Sequence, residues 1–375
     1  MSSAMMETSG PDERSRELEA SLRQALTERN AYGLDWSRPW VDAVFAAYRQ
    51  PHRHFHTLEH LHRIVERIRQ YEWGDEPTAS RMLLTALFHD VVWYPLGGDS
   101  ERRSAAAFEH VMGLLGEPLP SADREQIRRT ILSTFDQTAE DDFAARFHDY
   151  DCQVIIHGSR VDLIDYEAQI FREFQCLNMA DYRRGRSAFF QRFARRYPRC
   201  QPTMEFLIEY LERRRPRVGI YAGTFNPFHI GHLSILEKAE MIFDKVILAL
   251  GINPQKKHLE RDRQLDRILP FHEVVTFDTL IVDLIGQESR YANVTLVRGL
   301  RNGYDLDYEM NQLSYMQDMR PGGVQTVYIP CDKRLEHVSS SMLNGLRQFD
   351  THGMDSIYYP HKYDYASQTL QEQFG

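Results

Sequence analysis

The sequence predicts two domains, an all-α helical bundle followed by an α/β domain built on a parallel sheet. Three observations lead there. A chain of 375 residues exceeds what one hydrophobic core usually organises. All six lysines, Lys238 to Lys362, lie beyond Pro216, and the residues before it use arginine as their strong base. The hydrophobic period also changes at RRRPR (Arg213–Arg217), from helical repeats to short apolar runs alternating with helices. The expected boundaries are a disordered tail at 1–14, a helical domain at 15–213, an α/β domain at 214–350 and a C-terminal tail at 351–375.

The helical half begins with Leu18, Leu22, Ala25 and Leu26 on one face of a first helix. A second helix starts at Pro39, a favourable first position, and must end before Pro51. Thr57 can cap a third, running to about Tyr71. The segment TASRMLLTALFHDVVWY (Thr78–Tyr94) is nearly continuous apolar helix, and further helices are expected at Val161–Phe174, Tyr182–Arg196 and Thr203–Arg213. Strand signals are missing here.

In the second half, strands are expected at Val218–Ala222, Lys245–Leu250, Asn293–Val297 and Gln325–Ile329. The first ends in GTFNPFHIGH (Gly223–His232) and leads into a helix whose Leu233, Leu236, Ala239 and Ile242 share a face. A strand, a glycine turn and a helix start together offer free backbone N–H groups and the positive end of a helix dipole, which suits phosphate. His229 and His232 flank Gly231 at that helix start, where imidazole N–H groups can donate to a nucleoside triphosphate. Ligands of parallel sheets bind at the carboxyl ends of strands, so the segments following each strand should converge.

Composition narrows the classes. With 42% hydrophobic and 26% charged residues the chain is ordinary for a globular protein, and no apolar run reaches the ~20 residues that span a bilayer. The start, MSSAMMETSGPDERS, lacks a basic stretch followed by an apolar one, so a cytoplasmic protein with no membrane partner is expected. A net charge of -9 disfavours nucleic acid, and RRRPR reads as a solvated linker. Cys152, Cys176, Cys200 and Cys331 show no CxxC spacing and are expected to be free thiols. A homo-oligomer is expected.

GTFNPFHIGH, followed in order by RGLR (Arg298–Arg301), DYEM (Asp307–Met310) and VSSS (Val338–Ser341), resembles the HxGH nucleotidyltransferase superfamily, and within it the bacterial pantetheine-phosphate adenylyltransferases. The resemblance covers roughly Arg217 to Phe349. It implies a Rossmann-like fold and transfer of AMP from ATP, with Mg2+, to 4'-phosphopantetheine, giving dephospho-coenzyme A and pyrophosphate. Carried over residue by residue, it implies His232, Lys256 and Arg298 as catalytic. Thr224, Phe225, His229, His232, Gly299, Arg301, Glu309, Ser339, Ser340 and Ser341 would bind ATP, and Thr224, Lys256, Leu280 and Arg298 the acceptor. HIGH stands where TNGH is common in the family, and the interval from Lys256 to Phe277–Asp283 is shorter than usual, where a pantetheine arm would lie. The alternatives are another acceptor, such as nicotinamide mononucleotide, and a domain that senses nucleotide without turnover.

The first half concentrates histidine. PHRHFHTLEHLHR (Pro51–Arg63) holds His52, His54, His56, His60 and His62, and His89–Asp90 stands on an otherwise apolar segment, where a carboxylate is costly unless paired or bound to a cation. With Asp151 in FHDYD, this order resembles the HD-domain phosphohydrolases, whose pattern is a His, an adjacent His-Asp pair and a distant Asp. Phe55, Trp93 and Cys152 depart from the subgroup with YHTLEH-like and FHDVVY-like segments. The resemblance implies a divalent metal on His56, His60, His89, Asp90 and Asp151, with His56 competing with His60 for the first position and Asp149 with Asp151 for the last. Mixed imidazole and carboxylate donors suit Mn2+, Fe2+, Zn2+ or Ni2+, with Mg2+ also open. Glu101 is a nearby carboxylate, either second to the metal or a helix cap, and Arg172, Arg183, Arg184 and Arg186 are candidate phosphate contacts.

Overall fold

The computed structural model describes residues 11–251, 263–301, 303–319, 323–346, 348–349 and 353–374. By contact the chain divides into two units. One runs to Glu173 and includes the chain from Ser367 onward, and the other is Phe174–Ala366.

Among its described residues the first unit has only helices for regular structure: α1 (Pro11–Glu28), α2 (Pro39–Ala47), α3 (Leu58–Tyr71), α4 (Glu76–Phe88), α5 (Ser100–Leu114), α6 (Ser121–Ser133), α7 (Asp142–Asp151), α8 (Gln153–His157) and α9 (Arg160–Glu173). Pro11 to Arg14, expected in the tail, are thus helical. The apolar positions of α3, Leu61, Ile64, Val65 and Ile68, recur at three and four residues and are all buried, which places α3 one face inward. Helix α4 is buried nearly all round, from Thr78 to Phe88 apart from Arg81, and makes the centre of the bundle. Its N-cap Asp75 accepts from the Thr78 backbone N–H. Thr57 stands at the N-cap of α3, but its hydroxyl makes no capping bond. Helix α4 ends at Phe88, so His89 is its C-cap and Asp90 follows it, rather than lying inside a helix as the apolar run suggested.

The second unit opens with α10 (Met179–Arg196) and α11 (Gln201–Arg213) and continues through β1 (Arg217–Gly223), α12 (Ile230–Ile242), β2 (Lys245–Gly251), α13 (Arg263–Ile268), β3 (Val274–Phe277), α14 (Ile281–Glu288), β4 (Asn293–Leu300), α15 (Gly303–Met319), β5 (Thr326–Pro330) and α16 (Ser340–Leu346). Its five strands form one parallel sheet in the order β3-β2-β1-β4-β5. Val218 of β1 is in register with Lys245 of β2 and Val294 of β4, so β1 is the central strand where the chain order reverses. Ile220, Ala249 and Leu296 share one face with Val282 and Ile285 of α14, and Gly299 meets Ile235 of α12 on the other. Helix α12 buries Ile235, Leu236 and Ala239, whereas Ile242, expected on that face, is 41% exposed. Strand β3 was not among the expected strands; it is a short edge strand, half-buried and paired only through β2.

The boundary expected at 213/214 follows composition, while the division by contact follows packing, and the two differ because the segment from Phe174 is tied to the sheet. Lys245, fully buried, donates to the carbonyls of Gln175 and Leu177 at 2.5 Å each and pairs with Glu273 at 2.9 Å. RRRPR is solvent-exposed at Arg213, Arg215 and Arg217, as expected, but it lies within the second unit and not at the division by contact. Arg215 donates to the carbonyls of Ser289 and Ala292 at 2.6 and 2.9 Å, and Arg183 donates to that of Arg214 at 2.7 Å. Within the segment expected as a C-terminal tail, α17 (Leu370–Phe374) belongs to the first unit and buries Phe374 in its core. No described helix is long and apolar enough to cross a membrane.

Candidate active site

At the carboxyl ends of β1 and β4, where sheet order reverses, lies a cavity of about 400 Å³. The turn after β1 shapes its floor. Phe225 adopts a positive φ of 45° and is buried against Tyr221 and Phe228. A Cβ at Gly223 would come within 2.8 Å of the Phe225 ring, so the residue before the turn must be glycine for that ring to lie under it. This brings the chain round to His229, the N-cap of α12.

His229 and His232 form a reciprocal cap. The Gly231 N–H donates to His229 Nδ1 at 3.1 Å, and the His229 N–H donates to His232 Nδ1 at 3.3 Å. Each Nδ1 therefore carries a lone pair, and each neutral ring keeps its proton on Nε2. The rings stack at 3.7 Å, and Phe225 meets His232 edge-on at 5.1 Å. Desolvation and then the Arg301 charge push His229 down to about 4. Desolvation, the His229 charge and Arg301 hold His232 well below its usual value. At neutral pH both rings are neutral donors.

Thr224, Phe225, His229, His232, Arg298, Gly299, Arg301, Glu309, Ser339, Ser340 and Ser341 all line this cavity. Arg298, on β4, makes a two-pronged ion pair with Glu309 of α15 and also donates to the Ala222 carbonyl at 3.3 Å. Arg301 pairs with Asp305 at 3.2 Å. Ser339 accepts from the Met342 N–H and Ser340 donates to the Pro227 carbonyl, which ties the start of α16 to the β1–α12 turn. Tyr221, Ile235, Asp305 and Cys331 are lining residues that the motifs did not indicate. Lys256 lies outside the described residues. Leu280, the N-cap of α14, is 52% exposed and is not among the residues lining the cavity.

The first unit holds a second constellation. His60 of α3, His89 and Asp90 at the end of α4, and Asp151 ending α7 bring one ligand atom each to within 4.8 Å of one another. His60 Nε2 lies 3.3 Å from His89 Nε2 and 3.1 Å from Asp151 Oδ1, and His89 Nε2 lies 3.0 Å from Asp90 Oδ2. Facing imidazole nitrogens and two carboxylates, all largely buried, call for a shared cation or shared protons. His89 Nδ1–H donates to the Ala86 carbonyl at 2.8 Å, which leaves Nε2 as the donor atom toward the group. Burial opposes the charge on Asp90, but His89 and His56 hold its carboxyl at about 2, and His60 and His89 take Asp151 lower still. Two imidazoles and two carboxylates fit a divalent transition metal.

Asp151, not Asp149, is the distant carboxylate in this group. His56 stands outside the four, its Nε2 3.8 Å from Asp90 Oδ2, and its ring stacks on Trp93 at 3.9 Å. Burial lowers the basicity of His56, yet Glu173 and Asp90 together raise it. Glu173, fully buried at the end of α9, was missed by sequence reasoning because its partners are over a hundred residues away and no local pattern marks it. Arg53 is a second omission; it donates to the Asp90 and Val91 carbonyls at 2.7 and 2.9 Å and pins the segment after α4. Burial, followed by the Asp90 charge, raises the Glu101 carboxyl. Of the four candidate arginines, Arg183, Arg184 and Arg186 belong to the second unit, where they engage the Arg214 carbonyl, Asp181 and the Phe189 and Phe190 rings.

Comparison with known proteins bears on the second unit. The cytidylyltransferase-like family matches residues 220–345. The phosphopantetheine adenylyltransferase of Porphyromonas gingivalis is 37% identical over 142 residues, 36% of this chain and 90% of that protein. Those of Kocuria rhizophila and Desulfatibacillum aliphaticivorans are each 37% identical, over 34% and 37% of this chain and 83% and 82% of their own lengths. Identity at this level over most of each relative shows that the chain belongs to the phosphopantetheine adenylyltransferase family.

Proposed function

We propose that the second unit transfers the adenylyl group of ATP to 4'-phosphopantetheine, releasing pyrophosphate. The observation that carries this reading is the meeting of His229, His232, Arg298 and Ser339–Ser341 around one cavity at the ends of β1 and β4, in a chain that is 37% identical over 142 residues to a phosphopantetheine adenylyltransferase. A phosphate oxygen of the acceptor attacks the α-phosphorus of ATP, a new P–O bond forms, and the bond to the β-phosphate oxygen breaks. Such a step needs positioning and charge stabilisation more than covalent help from the protein. His232 Nε2–H, fixed in its tautomer by the backbone, donates to the oxygen on which charge grows. Arg298 receives the acceptor phosphate, displacing part of its pairing with Glu309, and Thr224 stands between acceptor and nucleotide. Arg301, Gly299, Glu309 and the serines hold the nucleotide, and Lys256 neutralises the reacting phosphates. Mg2+ bound with ATP supplies further charge neutralisation.

The test is pyrophosphate release by the purified chain with ATP and Mg2+, comparing 4'-phosphopantetheine with nicotinamide mononucleotide. Turnover with phosphopantetheine alone supports the reading. Turnover with the mononucleotide alone replaces the acceptor, and tight ATP binding without turnover on either makes the unit a nucleotide sensor.

For the first unit we propose a metal-dependent phosphohydrolase of the HD type, because His60, His89, Asp90 and Asp151 gather four donor atoms in one place. These four residues would hold a divalent ion, which would supply an activated water and polarisation of a phosphoryl oxygen, the two requirements of phosphoester hydrolysis. His89 presents Nε2 because its Nδ1 proton is held by Ala86, and Asp90 and Asp151 supply the negative charge that offsets the cation. Phosphate release from a panel of phosphomonoesters and nucleotides, lost in Asp90→Ala, tests the activity.

A further inference from the structure

The four-residue group leaves one buried pair in the first unit without a role, and we infer that this pair, Glu173 with His56, completes the metal centre: Glu173 is a positioning residue that turns His56 Nε2 toward Asp90 as an additional metal ligand. The inference rests on the metal reading of that unit.

Glu173 is fully buried and its carboxylate is saturated by one stretch of chain. Oε1 accepts the backbone N–H groups of His54, Phe55 and His56 at 2.8, 2.7 and 2.9 Å. Oε2 accepts from His56 Nδ1 at 2.6 Å. Three successive N–H groups on one oxygen fix which end of the side chain faces the backbone, and so place the other oxygen against the imidazole. With Nδ1–H engaged, the lone pair of neutral His56 is on Nε2. That nitrogen lies 3.8 Å from Asp90 Oδ2, which is too long for a hydrogen bond. It is also the separation between His60 Nε2 and the same oxygen. Two donor atoms bound to one ion at ~2.1 Å each stand roughly 3–4 Å apart, so both histidines are spaced from Asp90 as co-ligands are. Trp93, stacked on His56 at 3.9 Å, holds the ring plane. A carboxylate that orients a metal-bound imidazole through its far nitrogen commonly changes metal affinity by ~10–100-fold when removed.

Glu173→Gln separates positioning from mere packing. The glutamine oxygen can still accept the three backbone N–H groups, but its NH2 then faces His56 and forces the tautomer with the proton on Nε2, which cannot ligate. Zn2+ affinity of the full chain is measured by chelator competition for the unmutated protein, Glu173→Gln, His56→Ala and the double variant, with thermal unfolding of the zinc-free forms alongside. The expected result is a ~10–100-fold loss in each single variant and no further loss in the double, since both remove the same ligand. Losses that add in the double variant, or a Glu173→Gln affinity equal to the unmutated value, overturn the proposal. A second readout needs Glu173 intact: the ring ¹⁵N spectrum, with His56→Ala as assignment reference. His56 Nε2 should shift on Zn2+ addition while Nδ1 stays protonated, and an unshifted Nε2 refutes ligation even if Glu173→Gln fails to fold. If the unmutated chain binds no Zn2+, the metal reading of the whole unit fails, an outcome distinct from zinc binding that ignores His56.

Discussion

His232→Ala removes one neutral donor from the adenylyl-transfer site, and its effects can be apportioned in advance. The ring has two tasks. Its Nδ1 accepts the His229 N–H, one half of the reciprocal cap of α12, and loss of such a cap costs about 1 kcal/mol of stability. The ring lines the cavity with Nε2–H as its remaining donor, and loss of one donor aimed at developing transition-state charge costs about 10²–10³ in kcat, or roughly 3–4 kcal/mol. The catalytic loss is thus about three to four times the structural one. His232 is held well below its ordinary pKa, so it is neutral near pH 7 and becomes charged only well into acid. Steady-state pyrophosphate release from pH 6 to 8 should show kcat falling about 10²–10³-fold at every pH with ATP KM changed little. Thermal unfolding should show only the loss of a cap. His232→Gln, which can return an N–H near the Nε2 position, should recover part of kcat. An unchanged kcat refutes the role, and a loss confined to KM shows that the ring binds ground state and transition state alike.

Three other perturbations have directions set by the structure. Asp90→Ala should lose bound divalent metal by elemental analysis, because it takes a carboxylate from a group already limited to four close donors; equal metal in both proteins contradicts the site. Glu240 is held at about 2 despite its burial, by His272 and Lys362, so its stabilisation is complete above the ordinary glutamate range and fades as pH falls from about 4.5 toward 2. His229, held near 4, contributes stability that is complete above about 6.5 and fades as pH falls toward 4; urea unfolding from pH 7 to 3 should follow both, and Glu240→Gln should flatten only the lower limb. Glu309→Gln takes the charge from the partner of Arg298, so the acceptor KM should fall while the ATP KM rises, and the opposite pattern would show that Glu309 holds Arg298 in place for the acceptor.

What could be read from the sequence was what sequence neighbours decide. The β1–α12 turn, its two histidines and the apolar faces of α3 and α4 are each written within about a dozen residues, where strand, glycine turn and helix periodicity leave a pattern. The parallel sheet followed from the alternation of apolar runs with helices. Strand β3, VVTF, carries an apolar run of its own, but at four residues it is too short to separate from the helical segments on either side. Asp90 and His89 were legible as costly residues on an apolar segment, but that α4 stops at Phe88, freeing the pair from helical geometry, was hidden by the apolar residues that continue to Trp93.

The residues that remained illegible share a physical cause: each is charged and is satisfied by groups distant in the chain, Lys245 and Glu173 at full burial and Arg215 at the surface. Lys245 reads as the polar start of a strand, yet its ammonium gathers the carbonyls of Gln175 and Leu177 about seventy residues earlier. Arg215 reads as one of a charged run, yet its guanidinium caps carbonyls at the end of α14. Glu173 ends an amphipathic helix like many surface glutamates, yet four donors from His54 to His56 surround it. At the depth of Lys245 and Glu173 an ionised group is tolerated only when its lone pairs or protons are met, so removing their partners should cost far more than a surface ion pair. It follows that a charge run or a lone acidic residue in sequence cannot be assigned to solvent by composition alone. The distinction lies in whether the fold returns donors to it, and for Glu173 the fold returns them from the histidine-rich segment that faces the metal cluster.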